Sequence, residues 1–168
     1  MEYMKRRLAW FIFLIVFVAA VLLVFVPWAK ERARRSSCGS NLRGVWCTLQ
    51  IYSMDHDGSY PGRLELLGKN TYITQPKIFV CKSAGTIAGS MTDVDDWMDY
   101  TYIYWPQGKN TPSNFPVMYD RLLSNHHGNG IQVIQNCGGW FWDTKGEWLK
   151  GFAKDHPELK IPLPKDLK

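Results

Sequence analysis

The chain has 168 residues, 46% hydrophobic and 21% charged, with a formal net charge of +5 at pH 7; with the apolar N-terminus set aside, about 130 residues remain for one folded core. The whole positive excess lies in residues 1 to 35, where Lys5, Arg6, Arg7, Lys30, Arg32, Arg34 and Arg35 stand against only Glu2 and Glu31. A region that is neutral beyond that point carries no basic groove for phosphates, which argues against nucleic acid as a partner, whereas basic residues flanking an apolar run suit lipid headgroups.

The first element is that apolar run, Leu8 to Trp28, 21 residues without a charge. At about 1.5 Å per residue it spans the roughly 30 Å hydrocarbon layer of a bilayer, with Trp10 and Trp28 near the two interfaces. A cleavable export signal would have a shorter apolar stretch of about 7–15 residues and small residues at the cut. Val18-Ala19-Ala20 is the one passable site, and cleavage there would strand Val21 to Trp28 at a new terminus, so an uncleaved transmembrane anchor is expected. Basic residues on both sides leave the positive-inside rule nearly balanced. Cys38, Cys47, Cys81 and Cys137 all follow the span, are even in number and show no CxxC or Cys/His metal spacing, which points to disulfides and an oxidising compartment.

Helical character continues past the span. Cys38, Leu42, Val45, Leu49 and Tyr52 recur at steps of four, three, four and three, which is one face of a helix. Pro27 removes one hydrogen bond inside this rod and predicts a kink. The helix should end before Asp55-His56-Asp57-Gly58-Ser59-Tyr60-Pro61. Beyond it, Arg63 to Leu67 suits one helical turn, Lys77 to Cys81 a short strand, and Ser83 to Asp99 a Gly- and Asp-rich surface loop. Four aromatic or β-branched runs then read as antiparallel strands: Tyr100 to Trp105, Phe115 to Asp120, Ile131 to Gln135 and Trp140 to Trp142. Asn136 to Gly139 suits a hairpin turn, and Thr144 to His156 a last short helix ending near Pro157. The domain plan is therefore residues 1–7 as a cytoplasmic N-terminus, 8–28 in the membrane, 29–54 as helix continuation and 55–168 as an α+β globular region.

The ordered series of short motifs resembles the type IV pilin-like proteins, especially type II secretion pseudopilin relatives of planctomycete and verrucomicrobial lineages. It comprises Pro27; Ala33-Arg34 through Cys38-Gly39-Ser40-Asn41-Leu42; Leu49-Gln50-Ile51-Tyr52; Asp55 through Tyr60-Pro61; Tyr72-Ile73; Phe79-Val80-Cys81; Asp120-Arg121; Asn125-His126-His127-Gly128; and Asn136 to Gly139 in place of a D-G-H turn. The likeness runs over about residues 20 to 142. It implies an α+β, pilin-like fold in which a long N-terminal helix, half of it transmembrane, packs on an antiparallel sheet of three to four strands. The implied topology is a single-pass protein of the inner (cytoplasmic) membrane, with its N-terminus cytoplasmic and its C-terminal domain periplasmic or extracellular. Implied partners are the lipid bilayer and other pilin-like subunits or secretion-system membrane proteins. One departure stands out: Arg7-Leu8-Ala9-Trp10-Phe11 lacks both the glycine and the glutamate of a prepilin peptidase site. The resemblance then describes a protein that keeps the scaffold and has lost the assembly signal.

Five sets of residues are weighed for chemistry or binding. Asp93, Asp95, Asp96 and Asp99 share one loop and are hard oxygen donors of the kind calcium prefers, and related pseudopilins hold a structural calcium, although no EF-hand spacing is present and a solvated acidic loop is the plainer reading. Cys38 lies on the inward stripe and Cys81 after the strand that would pack on it, so Cys38 with Cys81 is the preferred disulfide, leaving Cys47 and Cys137 to pair or stay free. His126 and His127 with Asp120 offer imidazole and carboxylate for a metal or for acid/base work, against the plainer reading of a polar turn. Cys137 with His127 has no nucleophile motif around it, and Trp140-Phe141-Trp142 suits strand packing better than a carbohydrate platform. No catalytic set and no cofactor motif emerges. The expected function is that of a non-enzymatic, membrane-anchored pilin-like structural or assembly protein linked to a type II secretion or type IV pilus-like system; the alternative is an anchored extracytoplasmic module that binds a glycan or a metal.

Overall fold

A computed structural model describes residues 2–104 and 111–167. The chain divides into two compact units, Met1–Ala33 and Arg34–Lys168. Helix α1, Glu2–Asp55, runs through Pro27 and contributes to both.

In the N-terminal unit the side chains of α1 find no protein to cover them. Its most apolar 18-residue window has a mean hydropathy of 3.2 and is 0% buried, and α1 is the one described helix long and apolar enough to cross a membrane. Each large apolar side chain left in water forfeits about 1.5–3 kcal/mol relative to burial, so this surface is suited to lipid. The guanidinium of Arg32 lies 5.4 Å from the centre of the Trp28 ring, which keeps a charge and an indole together at one end of the apolar stretch.

In the second unit, the later turns of α1 bury Cys38, Leu42, Val45, Leu49 and Tyr52, the stripe expected from the spacing. These side chains enter one core with Phe79, Tyr100, Phe115, Met118, Tyr119, Val133 and Ile134. The sheet is four-stranded and antiparallel in the order β1-β2-β3-β4, with β1 Tyr100–Tyr102, β2 Pro116–Asp120, β3 Gly130–Gln135 and β4 Trp140–Thr144. Every residue of β2 is buried and all but the last of β3, because these central strands are covered on both faces, while the edge strands remain part-exposed. The α+β class, a long helix on a small antiparallel sheet, is as the sequence implies.

α1 meets β3 and β4 through close approaches. Gln132 donates through Nε2 to the Arg35 carbonyl at 3.2 Å and Trp46 through Nε1 to the Asn136 carbonyl at 3.3 Å. Arg35 lies over the Trp142 ring at 4.2 Å. A methyl group on Gly39 would come within 2.7 Å of the Trp140 ring, so the helix needs a residue without a side chain where that indole crosses it.

Several expected boundaries shift for local reasons. Lys77 to Cys81 is not a strand: Pro76–Phe79 is a 3-10 helix with Pro at its start, where the ring's fixed φ and missing N–H fit a first turn. The Ser83 to Asp99 stretch carries a 3-10 turn, Met91–Asp93, and the one-turn helix α3, Val94–Trp97. Helix α2, Glu65–Lys69, begins two residues after the expected turn does. The last helix, α4, is Glu147–Asp155; Lys145 and Gly146, with φ of 55° and 69°, form a left-handed turn between β4 and the helix. The expected strand Tyr100 to Trp105 stops at Tyr102: Ile103 and Tyr104 are not strand, and Trp105 lies outside the described residues. The hairpin at Asn136 to Gly139 forms as expected, closed by Gly138 N to Gln135 O at 2.9 Å and Gln135 N to Gly139 O at 2.8 Å.

If the α1 stripe carries the core, position decides the cost of truncating it. Leu42→Ala, at 0% exposure, should lose about 2–5 kcal/mol, whereas Met54→Ala, at 83% exposure, should stay within about 0.5 kcal/mol. Urea unfolding of each variant in detergent, followed by far-UV circular dichroism, checks this pair.

Candidate functional site

Four chain segments bring chemistry-bearing side chains into one buried space. Cys38 comes from the inward stripe of α1, and Cys81 from the bend after the Pro76–Phe79 turn. Asp120 ends β2, and His126 ends a further 3-10 helix, Leu123–His126. All four are 0% exposed. Cys38 Sγ lies 3.1 Å from Cys81 Sγ, Cys81 Sγ lies 3.5 Å from His126 Nε2, and that nitrogen lies 3.4 Å from Asp120 Oδ2.

Backbone groups hold each member in place. The Lys82 N–H donates to Cys38 Sγ at 3.2 Å. Asp99 accepts the Cys81 N–H at 2.8 Å and the Thr86 hydroxyl at 2.6 Å, fixing the bend that carries Cys81. Asp120 Oδ2 accepts the Gln132 N–H from the neighbouring strand at 2.6 Å, while its Oδ1 is buried with no hydrogen-bond partner. Trp142 stands edge-on to the His126 ring at 5.2 Å between centres. Asp166 secures the Leu123–His126 turn from outside by accepting the N–H groups of Leu123 and Ser124, each at 2.8 Å.

This dry setting separates the acidities of its members. The hydrogen bond with Cys81 holds the Cys38 thiol well below its ordinary value; burial opposes this, while His126 and the Lys82 N–H reinforce it. Cys81 is pushed up by the same bond to Cys38 and by burial. Burial also raises the Asp120 carboxyl, against the lowering effect of His126 and Gln132. Burial would raise Asp166 too, but the Ser124 and Leu123 N–H groups outweigh it and hold that carboxyl below its ordinary value. Such a space can do two kinds of chemistry: exchange of electrons between the sulfurs, or coordination of a soft ion by thiolates and imidazole. Cys38, Cys81 and His126 present their ligand atoms within 4.8 Å of one another, the only such trio among the described residues.

All four of these residues were candidates from the sequence, but in two separate sets. The pairing of Cys38 with Cys81 is reproduced in space, yet all four cysteines are free thiols in the structure and the expected disulfide is not formed; at 3.1 Å the sulfurs are in contact without a bond. Cys47 and Cys137 are exposed. His126 and His127 part company: His126 is buried, whereas His127 adopts φ 58° and faces solvent. The reading of this stretch as a simple polar turn therefore fails at His126. The link of His126 and Asp120 to the cysteines had no local signal, because positions 38, 81, 120 and 126 show no motif spacing.

The candidate calcium residues do not converge. Asp93 accepts from the Trp97 indole at 3.2 Å, Asp95 meets Arg63 at 3.6 Å, Asp96 offers its backbone carbonyl to Arg121 at 3.3 Å, and Asp99 turns inward to Cys81 and Thr86. One turn of helix fans the first three apart, and Asp99 lies beyond its end. In the Trp140-Phe141-Trp142 run, Trp140 is 39% exposed, while Phe141 stands edge-on to Trp148 at 5.0 Å and Trp142 lies between Arg35 and His126.

The chain matches no protein-family model, and comparisons with characterised proteins and with solved structures find no match.

The raised Asp120 acidity has a definite sign. A carboxyl whose folded pKa exceeds its unfolded value binds its proton more tightly in the folded state, so stability is lost as pH rises from the ordinary carboxylate value, about 3.9, to the raised one. Asp120→Asn should therefore gain on the parent chain as pH rises from about 4 to about 7. Asp166, shifted the other way, is common to both chains and drops out of the difference. Urea midpoints of the two proteins across that range give the comparison; a constant difference would contradict the assignment.

Proposed function

We propose that this chain is a membrane-anchored pilin-like protein with a structural or assembly role in a type II secretion or type IV pilus-like system, its C-terminal domain lying outside the cytoplasm. The observation that carries the reading is the use of one helix for two purposes: α1 offers a bare apolar surface before Ala33 and the central stripe of a small α+β core after Arg34. The ordered motif series from Pro27 to Gly139 supports the same reading. A bare transmembrane face is also the surface through which helices of neighbouring subunits associate in lipid, by close packing of side chains. The absence of the peptidase motif around Arg7 to Phe11 favours a component that stays in the membrane over a polymerising major subunit.

The alternative of a glycan-binding module draws less support because two of the three aromatic residues of β4, Phe141 and Trp142, are engaged with Trp148, Arg35 and His126.

Photo-crosslinking from Phe13 and Leu23 in native membranes tests the proposal. Adducts should contain the transmembrane helices of other pilin-like or secretion-system proteins, or a second copy of this chain, and should vanish when detergent disperses the membrane. Adducts to lipid alone, with no protein neighbour from either position, would remove the assembly role.

A further inference from the structure

We propose that Cys38 and Cys81 are a covalent modification site, a disulfide that ties α1 to the bend after the Pro76–Phe79 turn. The inference rests on the exported placement proposed above, since that compartment supplies the oxidant.

Distance separates this outcome from metal binding at the same residues. Tetrahedral zinc with Zn–S bonds of about 2.3 Å keeps two sulfur ligands about 3.8 Å apart, so the sulfurs, at 3.1 Å, would have to move away from each other. That separation is also inside ordinary non-bonded contact, about 3.5–4.0 Å even between carbons. A disulfide brings the atoms to about 2.05 Å, which asks them to approach from 3.1 Å rather than to separate. His126 Nε2 is turned to a carboxylate oxygen that also holds the Gln132 N–H, and that pair keeps its partners whether or not the sulfurs are joined. The competing thiols do not interfere: Cys47 and Cys137 are exposed.

The reaction is thiol–disulfide exchange with a small or protein disulfide, RSSR. Either Cys38 or Cys81, its proton lost to solvent, attacks one sulfur of RSSR as thiolate, forming a mixed disulfide and expelling RS⁻. The second cysteine, its proton likewise lost to solvent, attacks the sulfur of the first as thiolate and expels the second RS⁻, and both RS⁻ take up protons. The two cysteines lose two electrons and two protons, and RSSR leaves as two molecules of RSH. Because both sulfurs are 0% exposed in the folded unit, the exchange belongs to the folding stage, before the Cys81 bend closes over α1.

The test uses the full chain in its native membrane. Spheroplasts are treated with a membrane-impermeant maleimide, which reads the location of the exposed Cys47 and Cys137; the protein is then denatured in a second, permeant alkylating agent and digested with trypsin without reduction. Residues 36–43 joined to residues 78–82, two hydrogen masses below the sum of the separate peptides, is the expected product. In detergent, reductant should raise the unfolded fraction roughly 100- to 1,000-fold, and the double variant Cys38→Ser/Cys81→Ser should not respond to it. Cys47 and Cys137 labelled from outside, with Cys38 and Cys81 recovered as alkylated free thiols, would overturn the disulfide and leave the exported placement intact. Labelling of Cys47 and Cys137 only after permeabilisation would overturn the placement; the purified chain is then equilibrated with a glutathione redox buffer, where failure to form the joined peptides overturns the disulfide as well. One equivalent of zinc in the purified protein, with Cys38 and Cys81 alkylated only after chelation, would overturn it in favour of a metal site.

Discussion

Enclosing two sulfurs, an imidazole and a carboxylate in one dry space is the constraint on which the C-terminal unit is organised. Polar groups taken from water must find partners within the protein or lose stability, and here those partners come from every part of the unit. α1 brings Cys38, the bend after Phe79 brings Cys81 and the Lys82 N–H, β2 brings Asp120, β3 brings the Gln132 N–H, and the Leu123–His126 turn brings the imidazole. None of these segments can shift without breaking a contact made by another. The sheet alone could not impose that order, since β1 is three residues long and the other strands five or six.

Aspartates supply the rest of the framework. Asp99, Asp120 and Asp143 are largely removed from solvent, and each takes backbone N–H groups rather than a Lys or Arg side chain. Asp99 holds Cys81, Asp120 holds Gln132, and Asp143 holds the first turn of α4 through the N–H groups of Trp148 and Leu149, at 3.0 and 2.9 Å. The last of these is a capping arrangement drawn from β4, which anchors the helix N-terminus to the sheet it packs beside. Three carboxylates therefore do for irregular segments what ladder hydrogen bonds do for strands.

What could be read in the sequence depended on the range of the physics. Periodicity and composition are local, so the stripe from Cys38 to Tyr52 and the aromatic and β-branched runs of the strands were legible, as was the long apolar run. The hairpin at Asn136 to Gly139 was legible because Gly138, at φ 81°, occupies a conformation that glycine adopts without strain. The Pro76–Phe79 turn was misread as strand because its apolar residues suit either form and Pro76, the deciding residue, lies just outside the window considered. Burial of His126 depends on Trp142, Asp120 and Cys81 arriving from three other segments, and no nearest-neighbour pattern encodes that meeting. The acidic loop misled in the opposite sense: closeness along the chain did not become closeness of the carboxylates.

The segment after α4 returns across the unit to reach the turn that carries His126. Tyr119 donates its hydroxyl to the Pro162 carbonyl, Asp166 receives the Leu123 and Ser124 N–H groups, and Leu167 lies against Gly146. A strap fastened at these points conveys mechanical load: tension on residues beyond Pro164, whether from a fused reporter or from a bound neighbour, would be felt first at the Leu123 turn and through it at the imidazole. Reporter proteins are therefore better attached elsewhere on this unit, and the loop around Gly58, where an added side chain would meet no other atom, offers a mechanically quieter point of attachment.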